Sequence, residues 1–353
     1  MKIRIERTAQ PKPHADESQL GFGRYFTDHM FWMDYTPEKG WHDARIVPYG
    51  PIALSPAATV LHYGMEVFEG LKAYRRADGR VQLFRPWDNF SRMNDSAERL
   101  CLPQLDTEFA QEALETLIRL DEAWVPSLPG TSLYIRPLEF GADPFLGLHT
   151  VHHTQFGIIL SPSGSYYAEG INPVKIMIET RDVRAVRGGT GYAKCGGNYA
   201  ASSRAGMYAE KKGYTQVLWL DGVERKYVEE VGAMNVMFMI DHKVVTPALL
   251  GSVLPGVTRR SCIQLLKDWG YEVEERQLAA EEIFTALAEG RLQEAWGCGT
   301  AAVVSPIGEL SFHDKAYTIN DFQIGPVTRR LYDELTGIQY GRLPDTHGWT
   351  KVL

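Results

Sequence analysis

Cysteine is scarce, with four residues in 353, at positions 101, 195, 262 and 298. None forms a C-x-x-C pair and no histidine cluster stands at ligand spacing, so no metal site is expected. Four scattered thiols make no disulfide framework, and a reducing compartment suits them. Positive charge is also short: 37 Lys plus Arg face 44 Asp plus Glu, a net charge of −7. Such a chain is a poor electrostatic match for nucleic acid or an anionic membrane. Apolar runs such as Val217-Leu218-Trp219-Leu220 and Val236-Met237-Phe238-Met239-Ile240 fall far below the ~20 residues of a membrane span and read as buried strands. The start, MKIRIERTAQPKPHADES, lacks the apolar centre of a secretory signal and carries acids foreign to a transit peptide. The expectation is a cytoplasmic protein whose partners are small molecules or other proteins. Glycine and proline, 33 and 19 residues, are too few for a low-complexity chain.

The apolar share is 44% and the charged share 23%, ordinary for a globular protein, and the length suggests two domains at roughly 150 residues each. Residues 1–18 read as a loose polar arm. Val60 to Arg75 reads as strand-turn-strand around Gly64 and Gly70. Pro86 opens a helix in which Phe90, Met93, Ala97 and Leu100 recur at helical spacing. A second helix follows Thr107. Ser132–Pro137 and Thr154–Leu160 read as strands, and the turn-rich Ser161–Ser165 is the linker candidate. Beyond it, strands are expected at 174–179, 217–220, 234–240 and 243–246, and helices at 199–212, 258–269, 280–289 and 327–336.

Three glycine-bearing segments and one acidic pair could do chemistry. Residues 187–197, RGGTGYAKCGG, hold one lysine, Lys194, among five glycines just ahead of a helix. Glycine permits close backbone approach, and a lysine held there could condense with a carbonyl as a Schiff base. A solvated lysine in a flexible loop is the plainer reading of this segment alone. Leu254-Pro255-Gly256-Val257-Thr258 precedes an apolar-faced helix. Free N–H groups and a hydroxyl at a helix start favour a phosphate, while an ordinary N-cap by Thr258 is the alternative. Gly297-Cys298-Gly299-Thr300-Ala301 is either an anion nest or a tight turn between strands. In Tyr227-Val228-Glu229-Glu230-Val231, strand alternation could turn one carboxylate inward. There it must be paired or neutralised, and a protonated pyridine would serve. A solvated pair at a sheet edge is the other reading.

Together these segments resemble the branched-chain amino-acid aminotransferases, which have the type IV fold of pyridoxal-phosphate enzymes. The resemblance runs in family order through Phe26-Thr27-Asp28-His29-Met30, Leu61-His62-Tyr63-Gly64, Phe68-Glu69-Gly70, Arg85-Pro86-Trp87 and Tyr134-Ile135-Arg136-Pro137. It continues through 194–200, 217–221, Glu230-Val231-Gly232, 254–258 and Gly299-Thr300-Ala301-Ala302. It implies a mixed α/β, two-domain chain: a smaller N-terminal domain over 1–163, a linker over 164–175, and a larger C-terminal domain over 176–353 carrying the cofactor lysine. It implies pyridoxal 5'-phosphate as cofactor, with Lys194 as Schiff-base residue and proton shuttle. Glu230 would face the pyridine nitrogen and Tyr199 the phenolic oxygen, with Arg92, Val257, Thr258 and Thr300 around the phosphate. Thr300 and Ala301 would offer N–H groups to the substrate α-carboxylate, and Tyr134 with Arg136 would accept the distal carboxylate of glutamate. Phe22, Tyr63, Phe68 and Tyr166 would line the side-chain pocket. Leu146 and Leu148, and Tyr63 with them, would reach across a homodimer interface.

The implied reaction moves the amino group of L-leucine, L-isoleucine or L-valine to 2-oxoglutarate by a ping-pong route. A D-amino-acid aminotransferase or an aminodeoxychorismate lyase on the same fold is the alternative. A non-catalytic homologue is a third reading, against which the intact Lys194, Glu230 and Arg92 stand. Two positions depart from the pattern. Ala302 and Ser305 stand where some members carry a cysteine pair used as a redox switch, so no such switch is expected. Ala233 stands where some members have a hydroxyl near the pyridine-facing glutamate. Because one methylene is worth only ~1–3 kcal/mol, weak discrimination among the three apolar substrates is expected.

Overall fold

The computed structural model describes residues 1–164, 171–313 and 315–353. The chain forms two compact units, one of Met1–Tyr166, Ala193–Gly196 and Gly337–Leu353, the other of Tyr167–Tyr192 and Gly197–Thr336.

Strands of the first unit are β1 (Arg4–Ile5), β2 (His29–Thr36), β3 (Gly40–Pro48), β4 (Glu66–Phe68), β5 (Leu71–Arg75), β6 (Val81–Phe84), β7 (Ser132–Gly141), β8 (Thr154–Ser163) and the C-terminal strand Thr350–Val352. They form one sheet in the order β1-β3-β2-β8-β7-β5-β6-C-terminal strand, with β4 paired to β7 off this path. Its helices are α1 (Thr59–Tyr63), α2 (Pro86–Arg99) and α3 (Thr107–Leu120). Proline at the first position of α2 forgoes an N–H that has no helical partner. Phe90, Met93 and Ala97 then fall on one stripe, each fully buried. Asp106 caps α3 by accepting from the N–H groups of Glu108 and Phe109. Both helices bury their stripes with Phe31, Ile46, Leu83, Ile135 and Phe156 of the sheet, at about 1.5–3 kcal/mol per large side chain.

Several expectations change in this unit. The arm is tied down rather than loose. Arg4 and Ile5 pair in parallel with Arg45 and Ile46. The Lys12 N–H donates to Asp28, and its ammonium donates to the carbonyls of Phe26 and Thr27. The start of the 60–75 segment is helical, because Gly64 takes the left-handed conformation at φ 60° and closes α1. Ser161–Ser163 complete β8 instead of forming a linker. Residues 193–196 and 337–353, which the sequence places with the second half, pack with the first unit. The Phe68 N–H donates to the Lys194 carbonyl at 3.0 Å, and Thr350–Val352 pairs with β6.

In the second unit the strands are β9 (Val174–Glu179), β10 (Gln216–Leu220), β11 (Val228–Val231), β12 (Asn235–Ile240), β13 (Lys243–Pro247), β14 (Val273–Arg276), β15 (Leu292–Gly299), β16 (Val303–Phe312) and β17 (Lys315–Thr318). The sheet runs β11-β10-β9-β16-β15-β12-β13-β14, with β17 on β16. It is mixed: β9 lies parallel to both β10 and β16. Helices are α4 (Gly196–Lys211), α5 (Val257–Asp268), α6 (Ala280–Ala288) and α7 (Pro326–Gln339). One face of the sheet closes over Ile176, Leu218, Val231, Phe238 and Leu310 with Ile283 of α6. The other face packs Met177, Val217 and Trp219 against Ala205 and Ala209 of α4. α4 starts three residues before the expected Tyr199, so Gly196 and Gly197 form its first turn. Among the described residues no helix is long and apolar enough to cross a membrane, and all four cysteines are free.

Candidate active site

The first unit gathers six of the expected site residues. Lys194 hangs on a short irregular segment, just ahead of α4, that is held from two sides. Its N–H donates to Ser96 Oγ of α2 at 2.9 Å, and its carbonyl accepts from Phe68 of β4. The Gly196 N–H donates to Glu66 Oε1 at 2.5 Å, on the same short strand. The Lys194 ammonium lies 4.9 Å from the centroid of Phe68 and Arg136 lies 4.6 Å from that same ring. Desolvation, and next the Arg92 guanidinium, bring the Lys194 amine down to about 8. A neutral, nucleophilic amine is therefore accessible near neutral pH.

Tyr134 and Arg136 stand two residues apart on β7 and so share a face. Arg136 Nη2 donates to Tyr134 Oη at 3.1 Å. Phe22 meets the Tyr134 ring edge-on, with centroids 4.7 Å apart. Gly70 lies beneath this group: a Cβ there would stand 2.1 Å from Tyr134 Oη, so any larger residue would push this hydroxyl away. Arg136 Nε is buried with no hydrogen-bond partner among the described residues. An orphaned guanidinium N–H beside an aromatic wall is a carboxylate-accepting feature. Lys72, opposite Tyr134 across the β5–β7 pairing, is a second lysine that burial brings to about 8.

Arg92, on α2, forms a buried two-pronged ion pair with Glu69, Nε to Oε1 at 2.7 Å and Nη2 to Oε2 at 2.9 Å. Breaking such a pair costs about 3–5 kcal/mol. Burial would raise the Glu69 carboxyl, but Arg92, Lys194 and Asn89 together hold it below its ordinary value. Glu66 behaves oppositely: its burial outweighs the Gly196 N–H and Arg136, and its carboxyl is pushed up.

Tyr63, Leu146 and Leu148 form a separate, outward group. Tyr63 is 40% exposed, and the two leucines 65% and 79%. The Gly147 N–H donates to Tyr63 Oη at 2.9 Å, which ties the loop to α1. Tyr166 lies outside the described residues.

The second unit holds the remaining expected residues. Glu230 is the inward member of its acidic pair, 3% exposed, while half-buried Glu229 accepts from Ser252 Oγ. Glu230 Oε2 pairs with Arg184 Nε at 2.9 Å. Its Oε1 accepts from the Leu254 N–H at 2.8 Å and from Asn235 Nδ2 at 3.4 Å. Asn235 also donates to the Leu254 carbonyl, so the acid is fastened to the segment leading into α5. Gly256, not Thr258, is the N-cap of α5, and no side chain caps this end. A Cβ on Gly256 would stand 2.0 Å from Asn235 Oδ1, so a side chain there would displace the amide that holds Glu230. Val257 and Thr258 thus head a helix whose first N–H groups receive no side-chain cap, an arrangement suited to an anion. Thr300 and Ala301 occupy the turn between β15 and β16, and Tyr199 lies half-buried near the start of α4.

Sequence reading assigned no role to Glu69, Asn89, Ser96, Arg184 or Asn235. Glu69 lay in plain view within Phe68-Glu69-Gly70. Asn89 stands one helical turn from Arg92, a spacing that signals a shared face. Arg184, in an irregular segment, carries no local signal.

The amino-transferase class IV family matches residues 66–310. Branched-chain-amino-acid aminotransferase 2 of Bacillus subtilis is 55% identical over 351 residues, covering 99% of this chain and 97% of that protein. The branched-chain-amino-acid aminotransferase of Mycolicibacterium smegmatis is 49% identical, covering 94% and 92%. Among solved structures, the Escherichia coli branched-chain amino acid aminotransferase superposes with a TM-score of 0.76 at 28% identity, over 92% of this chain and 98% of that one. A second branched-chain amino acid aminotransferase, from T.th. and solved with pyridoxamine 5'-phosphate, gives 0.78 at 28%, over 93% and 99%. By likeness along nearly its whole length, the chain belongs to the class IV aminotransferases, within their branched-chain amino-acid aminotransferase family.

Proposed function

We propose that this chain moves the amino group of L-leucine, L-isoleucine or L-valine to 2-oxoglutarate, with Lys194 as the residue that binds pyridoxal 5'-phosphate and carries the proton. The observation that carries the reading is the arrangement on Phe68: an amine of lowered proton affinity and the Arg136 guanidinium lie 4.9 and 4.6 Å from the same ring.

The residues present fit the cofactor. Lys194 supplies an amine for its aldehyde. Arg92, the uncapped start of α5 at Val257 and Thr258, and the turn bearing Thr300 supply donors for its phosphate. Glu230, ion-paired with Arg184, supplies a buried carboxylate for its ring nitrogen, and Tyr199 a hydroxyl for its phenolic oxygen. When bound, the cofactor supplies the electron sink for the charge released at the substrate Cα.

The protein does the rest. Lys194 Nζ takes the Cα proton, a task suited to an amine brought to about 8. Thr300 and Ala301 orient the α-carboxylate through backbone N–H groups. Phe22 and Phe68 line the space for an aliphatic side chain, and the outward Tyr63 would serve that space in a second copy. Arg136 and Tyr134 receive the distal carboxylate when glutamate or 2-oxoglutarate occupies that space. The exposed Leu146 and Leu148 beside Tyr63 support a homodimer in which this loop is covered by a second copy.

A panel of single half-reactions tests the assignment. L-Leucine, L-isoleucine and L-valine should each convert the cofactor, D-leucine should not, and 2-oxoglutarate should restore the starting spectrum. Conversion by D-leucine in preference to L-leucine would transfer the chain to the D-amino-acid enzymes of this fold. Failure of 2-oxoglutarate to restore the spectrum would favour the lyase.

A further inference from the structure

Glu69 has no solvent exposure, yet four donors surround its carboxylate. Arg92 Nε and Nη2 lie at 2.7 and 2.9 Å, Asn89 Nδ2 at 2.8 Å and the Gly70 N–H at 3.1 Å. Asn89 and Arg92 stand three residues apart on α2, and Ser96, which receives the Lys194 N–H, stands four further on. One stripe of one helix therefore grips both the carboxylate and the lysine segment. An arginine on a helix otherwise has a long, freely rotating stem, and its planar fork binds an oxyanion well only when aimed.

We propose that Glu69 is the positioning residue that aims Arg92 at the cofactor phosphate. The proposal rests on the reading of Arg92 given above. Glu69 occupies one edge of the guanidinium, and Asn89 and the Gly70 N–H hold Glu69 in turn. The plane of Arg92 is thus set before any ligand arrives, and no side-chain ordering remains to be done on binding. An amide cannot replace this carboxylate. All four partners are donors, so the amide NH2 of a glutamine would face at least one of them donor to donor. The charge works the other way. A negative charge beside a phosphate ligand opposes phosphate binding, so removing the charge alone would strengthen it. Weaker phosphate binding after Glu69→Gln therefore reports lost positioning.

The experiment compares pyridoxal 5'-phosphate with pyridoxal, which lacks the phosphate, by absorbance titration of the full-length, cofactor-depleted chain. In Glu69→Gln the ratio of phosphate to non-phosphate affinity is expected to fall at least tenfold. Glu69→Asp should recover part of it, and Arg92→Ala should lower it as far. In the double variant Glu69→Gln/Arg92→Ala no further fall is expected, because the two residues act through one guanidinium. An unchanged or raised ratio in Glu69→Gln, with a lowered one in Arg92→Ala, overturns the proposal and leaves the phosphate role of Arg92 standing. An unchanged ratio in both variants removes that role as well. Equal weakening of both ligands in Glu69→Gln points to general structural damage and also overturns it. Should Glu69→Gln fail to fold, Glu69→Asp decides by the same ratio: a fall supports the proposal and its absence refutes it.

Discussion

Arg184 Nε stands 2.9 Å from Glu230 Oε2, with about 5% of either side chain exposed. Two charges removed from water hold each other in that state, and neither can lose its partner cheaply. Arg184→Met should therefore lower unfolding free energy by about 3–5 kcal/mol. Adding Glu230→Gln should recover part of the loss by removing the stranded charge. Urea unfolding of the single and double variants beside wild type measures this; an Arg184→Met variant within ~1 kcal/mol of wild type would show the pair to be incidental.

Arg136 is expected to separate the two substrates. Its buried Nε suits the distal, side-chain carboxylate that glutamate has and leucine lacks. Arg136→Leu should raise the apparent KM for 2-oxoglutarate by about 10²-fold or more, since a lost charge partner costs roughly 2–5 kcal/mol. The leucine half-reaction should stay within a few-fold. Stopped-flow half-reactions check it, and equal losses in both halves would contradict the assignment.

Lys194 gives a pH signature in cofactor binding. Only the neutral amine attacks an aldehyde. The association rate of pyridoxal 5'-phosphate with the depleted chain should climb with pH and level off above a midpoint near about 8. A midpoint in the ordinary lysine range above 10 would mean that burial and Arg92 do not act on this amine as described.

Glu139 marks a cost that the fold carries. It has no solvent exposure and both its carboxyl oxygens lack hydrogen-bond partners among the described residues. Its cross-strand neighbours are Val67 and Phe156, and burial pushes its carboxyl well above the usual range. The folded protein thus keeps a proton that the unfolded chain gives up above about pH 4.3. Stability must fall as pH rises from that point toward the folded pKa. Glu139→Met should stabilise the protein by about 1–3 kcal/mol near neutrality, with a smaller gain at pH 4 than at pH 8. Thermal unfolding at the two pH values tests it, and a gain independent of pH would be the contrary result.

The parts of the fold legible in the sequence are those set by short-range pattern. The stripe Phe90, Met93, Ala97 and the Pro86 start specify α2, and a second helix following Thr107 was expected where α3 lies. What was illegible depends on residues far apart. Lys12 is fastened to Asp28, and Arg4 to a strand some forty residues on, so a polar, proline-bearing arm gave no hint of being held. Lys194 illustrates the same limit at the site. Its segment packs with β4 and α2, about a hundred residues earlier, and that packing, not the glycines around it, lowers its proton affinity. At the start of α5 the N-cap is Gly256 rather than Thr258, and Gly256 sits close against Asn235, which is distant in the chain, a contact that no local pattern records. Glu69 and Arg184 escaped notice because a buried partner is visible only once the fold closes on it.

The most direct test follows nitrogen from donor to acceptor. With L-[15N]leucine and 2-oxoglutarate, the wild-type chain should form L-[15N]glutamate, and Lys194→Ala should lose that turnover by a factor of about 10²–10⁴ or more. Labelled glutamate formed at the wild-type rate by Lys194→Ala, or none formed by the wild type supplied with pyridoxal 5'-phosphate, would contradict the account.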